Sequence, residues 1–515
     1  SGERLHVSME ACARMWDERE GDGYGQLYRV VELYSEWIDD QKEKVDSGWV
    51  PDYLQKQGID NLNDCHEAMK RMQAGLQFLA CDDAALKAFS FMNRAMLLQQ
   101  QRAPEGVRKF TRDELGCISF EAPFKPSETP GQWRAFQIGF ILMSLRSAVD
   151  HDDPMHDAVE LIWFPTGGGK TEAYLGLAAF LMLYERCCFG DEAGGVQVLM
   201  RYTLRLLTAQ QLQRGATLMC ALESLRKEHD IPGGAFGIGL WVGGSTTPNR
   251  GDVAVKALKK LSKDSSAPNP FLFDRCPWCS AQMGPQENPS GKGNQVFGYH
   301  ETSDPSTVEF RCSDPECDFY DHLPIYIVDT DIYRHRPSLV VGTVDKFAML
   351  AWKPEIRSLF GIGDSGKRET NPPGLIIQDE LHLITGPLGS MVGLYEPLIE
   401  ELCTDHRSGR NKLPKIVCAT ATTRRYEAQV RGLYGRSETR LFPPPALDAE
   451  DSFFARYHRK ENGALSPGRK YVGIHSPGLG SQLSVQRNAF AALISASNHL
   501  RPFDHRDAYR SLLVF

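Results

Sequence analysis

Apolar positions in the first hundred residues recur at helical spacing. Leu27, Val30, Val31, Tyr34, Trp37 and Ile38 mark one amphipathic helix, Cys65, Met69, Met72, Leu76 and Leu79 a second, and Leu86, Phe89 and Leu97 a third. Asp82 and Asp83 stand where a cap for the third belongs, since a short carboxylate can accept from the unpaired N–H groups of a first turn. Prolines 104, 123, 126 and 130, with Gly106, Gly116 and Gly131, then break any long element, and Ala103 to Gln132 reads as an ordered connector. Another helix opens at Trp133-Arg-Ala-Phe136-Gln137. Beyond it, short wholly apolar runs alternate with helical ones. Strands are expected at Leu161–Phe164, Val196–Arg201, Phe236–Val242, Leu375–Gln378 and from Lys415, with helices after Thr171 and over Leu206–Arg226. Strands without a polar face are buried on both sides, and their alternation with helices builds a doubly wound parallel sheet. The expected organisation is a helical N-terminal domain (1–116), a connector (117–132), an α/β domain in two parts (133–270 and 326–440) divided by an insertion (271–325), and a final segment (441–515).

The first strand runs into Pro165-Thr166-Gly167-Gly168-Gly169-Lys170-Thr171 and then an Ala/Leu-rich helix. That order builds an anion site. Glycines let backbone N–H groups close around phosphate oxygens, and the helix N-terminus adds its positive dipole end. Lys170 would reach the β/γ-phosphates and the Thr171 hydroxyl would sit on Mg²⁺. Phe164 stands where the strict phosphate-loop pattern has its first glycine. A carboxamide such as Gln137 can donate and accept at once, which suits the Hoogsteen edge of adenine, although a lone glutamine on a helix also serves as surface. Leu375-Ile-Ile-Gln378-Asp379-Glu380-Leu381-His382 is a buried strand ending in two carboxylates. Asp379 would hold the metal through water, Glu380 would polarise the attacking water, and His382 could sense the γ-phosphate.

Lys415 to Thr422 is another strand, ending in the hydroxyls of Thr420 and Thr422, which could equally be turn chemistry. The Val196–Arg201 strand leaves into a loop bearing Thr203 and Arg205, and a further strand, from Val340, into one bearing Thr343 and Lys346. Hydroxyls, backbone N–H groups and single cations at loop tips grip a sugar-phosphate chain without reading bases, though Lys346 could instead pair with a carboxylate near Asp345. Cys276-Pro-Trp-Cys279 and Cys312-Ser-Asp-Pro-Glu-Cys317 offer four thiolates on two knuckles, which suits a structural Zn²⁺ ribbon. Iron–sulfur ligation is the minor alternative. Short strands are expected at Tyr299–Thr302 and Val308–Arg311, with Pro285 to Asn294 as a hairpin tip or loop.

Composition narrows the partners. The chain of 515 residues carries 24% charged and 42% hydrophobic residues, the balance of a soluble globular protein of about three or four domains. A net charge of -8 supplies no global basic field, so contact with nucleic acid must come from a local groove. Thirteen cysteines without a secretion signal fit a reducing, cytoplasmic setting better than a disulfide framework, and no membrane span is expected.

With the phosphate loop, D-E-L-H and T-A-T in order, the chain resembles a superfamily 2 DEAD/DEAH-type helicase core. The phrases W-R-A-F-Q, Y-T-L-R-L-L-T-A-Q-Q, G-T-V-D-K-F, L-I-I-Q-D-E-L-H-L-I-T-G-P-L-G-S and P-G-R-K-Y-V-G-I-H-S-P-G-L-G-S narrow the likeness to helicases of the bacterial DISARM anti-phage systems. The resemblance implies a RecA-like first motor domain, ATP hydrolysis, DNA with a single-stranded portion, a DrmB-like partner protein and a bacterial cytoplasmic setting. It assigns Thr420 and Thr422 to the motif that couples hydrolysis to the nucleic-acid groove. It also implies a second RecA-like domain carrying arginine fingers. Tyr509–Phe515 reads as the strand that would open it, so this stretch alone is expected to hydrolyse ATP poorly, fingers being worth about 10³–10⁵ in rate. The loop signals at Phe442-Pro-Pro-Pro and Ser476-Pro-Gly-Leu-Gly-Ser suit a connector better than a gate over the nucleic acid. A nucleotide-gated scaffold that loads a partner without unwinding is the alternative function. A simple P-loop kinase fits badly, because the zinc insertion separates Lys170 from Asp379.

Overall fold

The structure, a computed structural model, describes residues 5–500 except positions 20, 103–105, 113–117, 121, 129, 166, 204, 265, 288–292, 408, 410, 422–423, 461, 466–472 and 474–480; side chains at 205–210, 494 and 496–500 also lie outside the description. Four helices form as the apolar spacing predicts: α1 (Asp22–Asp46), α2 (Gln55–Cys81), α3 (Asp83–Gln101) and α4 (Ala135–Val149). Asp82 caps α3, its carboxylate accepting from the Ala85 N–H at 2.8 Å. Helix α4 is apolar on every side, and a helix of that kind must be covered all round. It packs against α2 closely enough that a Cβ on Gly75 would lie 2.0 Å from the Leu142 carbonyl oxygen, so only glycine fits there. The connector contains an antiparallel hairpin of Phe110–Arg112 with Ile118–Phe120, and its last strand, Gln132–Arg134, pairs with His6–Ser8.

The central sheet has eight strands: β1 (Val159–Trp163), β2 (Val198–Tyr202), β3 (Ile238–Trp241), β4 (Ile325–Tyr326), β5 (Leu339–Thr343), β6 (Leu375–Gln378), β7 (Lys415–Thr420) and β8 (Thr439–Phe442). Their order is β4-β3-β5-β2-β6-β7-β1-β8, and every pairing is parallel. Successive residues point to opposite faces, and both faces are apolar. Ile162, Val198, Met200, Leu375, Ile377, Val417 and Ala419 enter one core, while Leu161, Leu199, Ile376, Ile416 and Cys418 enter the other. The first face is covered by α5 (Lys170–Phe189) and α6 (Arg205–Glu228), the second by α8 (Gly386–Cys403) and α9 (Tyr426–Tyr434), with α7 (Gly251–Lys263) preceding the insertion. This is a RecA-like, doubly wound parallel sheet. The first core continues without a break into α1–α4. Helix α5 is the one described helix long and apolar enough to cross a membrane, and 67% of its most apolar window is buried inside the fold.

One charge cluster is sealed beneath β1. Glu160 is 0% exposed and accepts from both terminal guanidinium nitrogens of Arg71 and, at 3.1 Å, from Lys415 Nζ. Burial alone would push its carboxyl up, but Arg71 and Lys415 outweigh that and hold it below the ordinary carboxylate range.

The insertion carries two antiparallel hairpins, Gly284–Glu287 with Asn294–Phe297 and Tyr299–Ser303 with Ser306–Phe310. The expected strands form the second hairpin; of the stretch expected as a tip or loop, Pro285–Glu287 and Asn294 are strand, and 288–292 lie outside the described residues. Compact packing divides the chain into 1–456 and 457–515. In the second unit the described helix is α10 (Gln482–Leu500). The strand expected at Tyr509–Phe515 and most of the Ser476–Ser481 loop lie outside the described residues.

Candidate functional site

Parallel register delivers the candidate residues to one edge of the sheet. Trp163 at the end of β1 lies opposite Thr420 at the end of β7, and Gln378 at the end of β6 lies opposite both Cys418 and Arg201. The phosphate loop, Asp379-Glu380, Thr420 and the Thr203 loop therefore leave side by side at the carboxyl ends of the strands, where ligands of open α/β sheets bind.

The loop is built around left-handed glycines. Gly167 and Gly169 have φ of 80° and 93°, and Gly169 caps α5. A Cβ on Gly168 would meet Phe164 Cδ1 at 2.4 Å, and one on Gly169 would meet Gln137 Nε2 at 2.6 Å. Phe164, the departure from the strict loop pattern, stacks on Phe136 of α4 with centroids 3.9 Å apart. The aromatic pair braces the strand exit that a first glycine would have left bare. Lys170 Nζ donates to the Phe164 carbonyl at 2.7 Å, folded back beneath its own loop. Burial lowers its pKa, against the pull of Glu380 and Asp379. Thr166 lies outside the described residues.

Gln137 has work within the loop. Its carboxamide oxygen accepts from the Arg134 N–H at 2.9 Å, and its amide donates to the Gly169 carbonyl at 2.9 Å. Arg134 donates to the Gly168 carbonyl at 2.6 Å. The residue expected at adenine here braces the phosphate loop with one amide proton and one oxygen lone pair, which leaves a second of each.

Asp379 is 7% exposed. Its Oδ1 accepts from the Glu380 N–H and its Oδ2 from the Tyr174 hydroxyl, each at 2.8 Å. Burial raises its pKa, with Tyr174 and the Glu380 amide opposing. Glu380 sits in the left-handed region at φ 50°, a conformation that costs a non-glycine residue roughly 1–3 kcal/mol and clusters at functional sites. His382 Nδ1 lies 3.3 Å from Glu380 Oε2 and 3.2 Å from Thr420 Oγ1, joining the second motif to the third. The Trp163 indole donates to the Ala421 carbonyl at 3.2 Å. Thr422 lies outside the described residues.

The donor set fits Mg²⁺. Thr171 Oγ1 and the Asp379 carboxylate are hard oxygen ligands, both reached by the Tyr174 hydroxyl, beside a loop with open space at Gly167. Tyr174, Tyr202 and Gln211 also belong to this cluster, and the sequence reading passed over them. Tyr174 lies one turn beyond Thr171 in an apolar run, so its hydroxyl was the available signal.

The loop-tip cations and hydroxyls lie in unlike surroundings. Thr343 is 0% exposed, and Lys346 is 6% exposed with Nζ 2.7 Å from Asp329 Oδ2. Lys346 caps a buried pair instead of presenting charge to a phosphate; its carboxylate partner is distant in sequence, which local spacing could not reveal. Thr203 is half-buried and its hydroxyl has no hydrogen-bond partner among the described residues. Arg205 begins α6, with its side chain outside the description.

In the insertion, the sulfurs of Cys276, Cys279, Cys312 and Cys317 are buried and all lie within 4.8 Å of one another. Cys279 and Cys312 approach to 3.4 Å, near the roughly 3.8 Å that 2.3 Å Zn–S bonds imply for a tetrahedron. The Trp278 and Asp314 amides each lie 3.4 Å from the preceding knuckle sulfur, an arrangement that supports thiolates. These residues fit zinc. The ribbon is pinned to the rest of the fold by Arg102, whose guanidinium sits 3.4 Å from the Trp278 ring centroid, and by the Thr217 hydroxyl of α6 donating to the Pro277 carbonyl at 3.0 Å.

No protein-family model matches the chain. It is 34% identical over 556 aligned positions, covering 96% of its own length, to the DISARM protein DrmA of Bacillus paralicheniformis. It spans 48% of that relative. Among solved structures, the helicase MrfA bound to DNA and AMPPNP matches 67% of this chain and 33% of its own at 15% identity, with a TM-score of 0.30. The Mycobacterium smegmatis helicase Lhr bound to ssDNA and AMP-PNP matches 61% and 28% at 15% identity, also with a TM-score of 0.30. The sheet order and the placement of motifs, not these partial overlaps, carry the fold assignment.

Proposed function

Taking as premise that the chain is a relative of the DISARM protein DrmA along nearly its whole length, we propose that it is the first motor domain of an ATP-driven DNA helicase or translocase in bacterial phage defence. Because the chain spans about half of that relative, activity, substrate and partners of the whole protein belong to the proposal. The supporting observation is the register that sets the phosphate loop, Asp379-Glu380 and Thr420 on one sheet edge, with His382 touching both Glu380 and Thr420.

In this reading the loop amides and Lys170 bind the ATP phosphates, and Lys170 leaves the Phe164 carbonyl to do so. Thr171 and Asp379 hold Mg²⁺, which supplies neutralisation of developing phosphate charge. Glu380 accepts a proton from the attacking water. His382 and Thr420 pass the γ-phosphate state toward the DNA edge, where Thr203 and Arg205 contact the backbone. Thr343 and Lys346 support that edge from within. The four cysteines hold a structural Zn²⁺. A DrmB-like protein is the partner, and the setting is cytoplasmic.

In the intact protein, Lys170→Ala and Glu380→Gln should each abolish DNA-stimulated ATP hydrolysis while circular dichroism remains that of the wild type. Full stimulated turnover in both would overturn the assignment. A strand-displacement assay beside a loading assay on DNA with a single-stranded end separates unwinding from nucleotide-gated loading.

A further inference from the structure

Tyr174 is 0% exposed in an otherwise apolar stretch of α5, yet its hydroxyl meets three oxygen-bearing groups. Asp379 Oδ2 lies at 2.8 Å, Thr171 Oγ1 at 3.1 Å and the Tyr202 hydroxyl at 3.2 Å. A tyrosine has one proton to give, and a carboxylate can only accept. The proton therefore goes to Asp379, and the hydroxyls of Thr171 and Tyr202 donate to the Tyr174 oxygen. Gln211 Nε2 also donates to Thr171 Oγ1, at 3.4 Å, and Met200 Sδ lies 3.3 Å from the Tyr202 hydroxyl. Thr171, with its proton toward Tyr174, keeps one oxygen lone pair for a cation. Each Asp379 oxygen has one protein partner, Tyr174 on Oδ2 and the Glu380 amide on Oδ1, which leaves acceptor capacity on both.

We propose that Tyr174 is a positioning residue for the divalent cation: its hydroxyl locks the Thr171 and Asp379 oxygens into one pre-oriented ligand pair. Tyr202 anchors the same network at the end of β2, immediately before the Thr203 loop. The inference rests on the nucleotide-binding reading above and extends it to a residue outside the phosphate loop and the D-E-L-H motif. Packing alone would be met by phenylalanine, whose ring fills the same space without a hydroxyl to satisfy, and here the hydroxyl's partners are the two oxygen groups at the cation site.

Tyr174→Phe keeps the ring and removes only the hydroxyl. Binding of a fluorescent methylanthraniloyl-ATP to the purified protein, titrated with and without Mg²⁺, reads the cation site without requiring turnover. The variant should bind nucleotide in EDTA within about twofold of wild type. It should need about tenfold more Mg²⁺ for the half-maximal enhancement, the weight of one hydrogen bond to a charged group. An unchanged Mg²⁺ requirement, or an equal loss with and without Mg²⁺, would overturn the proposal. Tyr202→Phe leaves both ligands and Tyr174 in place and should raise the Mg²⁺ requirement by a smaller factor, about threefold; it keeps the test open should Tyr174→Phe fail to fold, and no change in it counts against the network. Wild-type protein that binds no nucleotide at all would sink the ATPase reading itself, a result distinct from a wild type that binds while Tyr174→Phe matches its Mg²⁺ curve.

Discussion

Glu160, within β1, and Asp379, just past the end of β6, are both buried carboxylates of the same sheet domain, and their surroundings are opposite. Glu160 touches two cations, Arg71 and Lys415, and sits below the ordinary carboxylate range. Asp379 touches a hydroxyl and an amide, while the nearby ammonium of Lys170 is bound to the Phe164 carbonyl, and its pKa is raised. The first site gives one carboxylate two cations, and both of its oxygens are occupied by them. The second holds a negative group that burial penalises and that the fold leaves without a counter-ion in contact. Burial alone therefore does not mark a functional carboxylate; burial with unmet charge does.

The largest expected effect separates the two directly. Glu160→Ala strands Arg71 and Lys415 as unpaired buried charges and should cost about 3–5 kcal/mol of stability in denaturant unfolding. Asp379→Asn removes a charge that burial disfavours, so stability should hold or rise while stimulated ATP hydrolysis is lost. Comparable destabilisation by the two substitutions would break the contrast.

Acidity offers a smaller and sharper test, because the two carboxylates have opposite signs. The folded pKa of Glu160 is depressed, so its contribution is complete above its unfolded value of about 4.3 and is lost as pH falls through the folded value. The advantage of wild type over Glu160→Gln should shrink on acidification below that point. The folded pKa of Asp379 is raised, so its contribution is complete below its unfolded value of about 3.9 and is lost as pH rises through the folded one. Asp379→Asn should therefore gain on wild type as pH rises. Denaturation midpoints measured across that range check both slopes; slopes of the same sign would mean that the two environments are not opposite.

Six of the eight strands were legible as short apolar runs, whereas β4, with two residues, and β8, Thr439-Arg-Leu-Phe442, next to a proline run read as a loop, were too short and too polar to show. The helices α1–α3 were legible through their spacing, down to the Asp82 cap. The motif residues Lys170, Asp379, Glu380, His382 and Thr420 converge because strand ends in a parallel sheet share an edge. What escaped was contact between distant residues. Lys346, expected as a loop-tip cation or one half of an ion pair, has Asp329 as its partner, and Gln137, expected at adenine, also donates to the Gly169 carbonyl. Tyr174 drew no expectation because it lies within an apolar helix. Glu160 stood unremarked inside a strand for the same reason: nothing near it in sequence announces Arg71 or Lys415.

Thr420 tests the boundary between those two environments, and its expected effect is the smallest. It is buried at the end of β7, and its hydroxyl meets His382 Nδ1 at 3.2 Å, so it contributes a neutral hydrogen bond where Glu160 and Asp379 involve charge. Thr420→Val keeps the β-branched shape and strand preference and should cost about 1 kcal/mol of stability or less. If the contact serves coupling, basal ATP hydrolysis should stay near wild type while stimulation by DNA falls by about threefold, the effect expected for weakening one neutral hydrogen bond. A parallel fall in basal and stimulated rates would place Thr420 with Asp379, in the hydrolytic site itself. No change in either rate, with the stability cost present, would place it with Glu160, as a residue that only holds the sheet edge together.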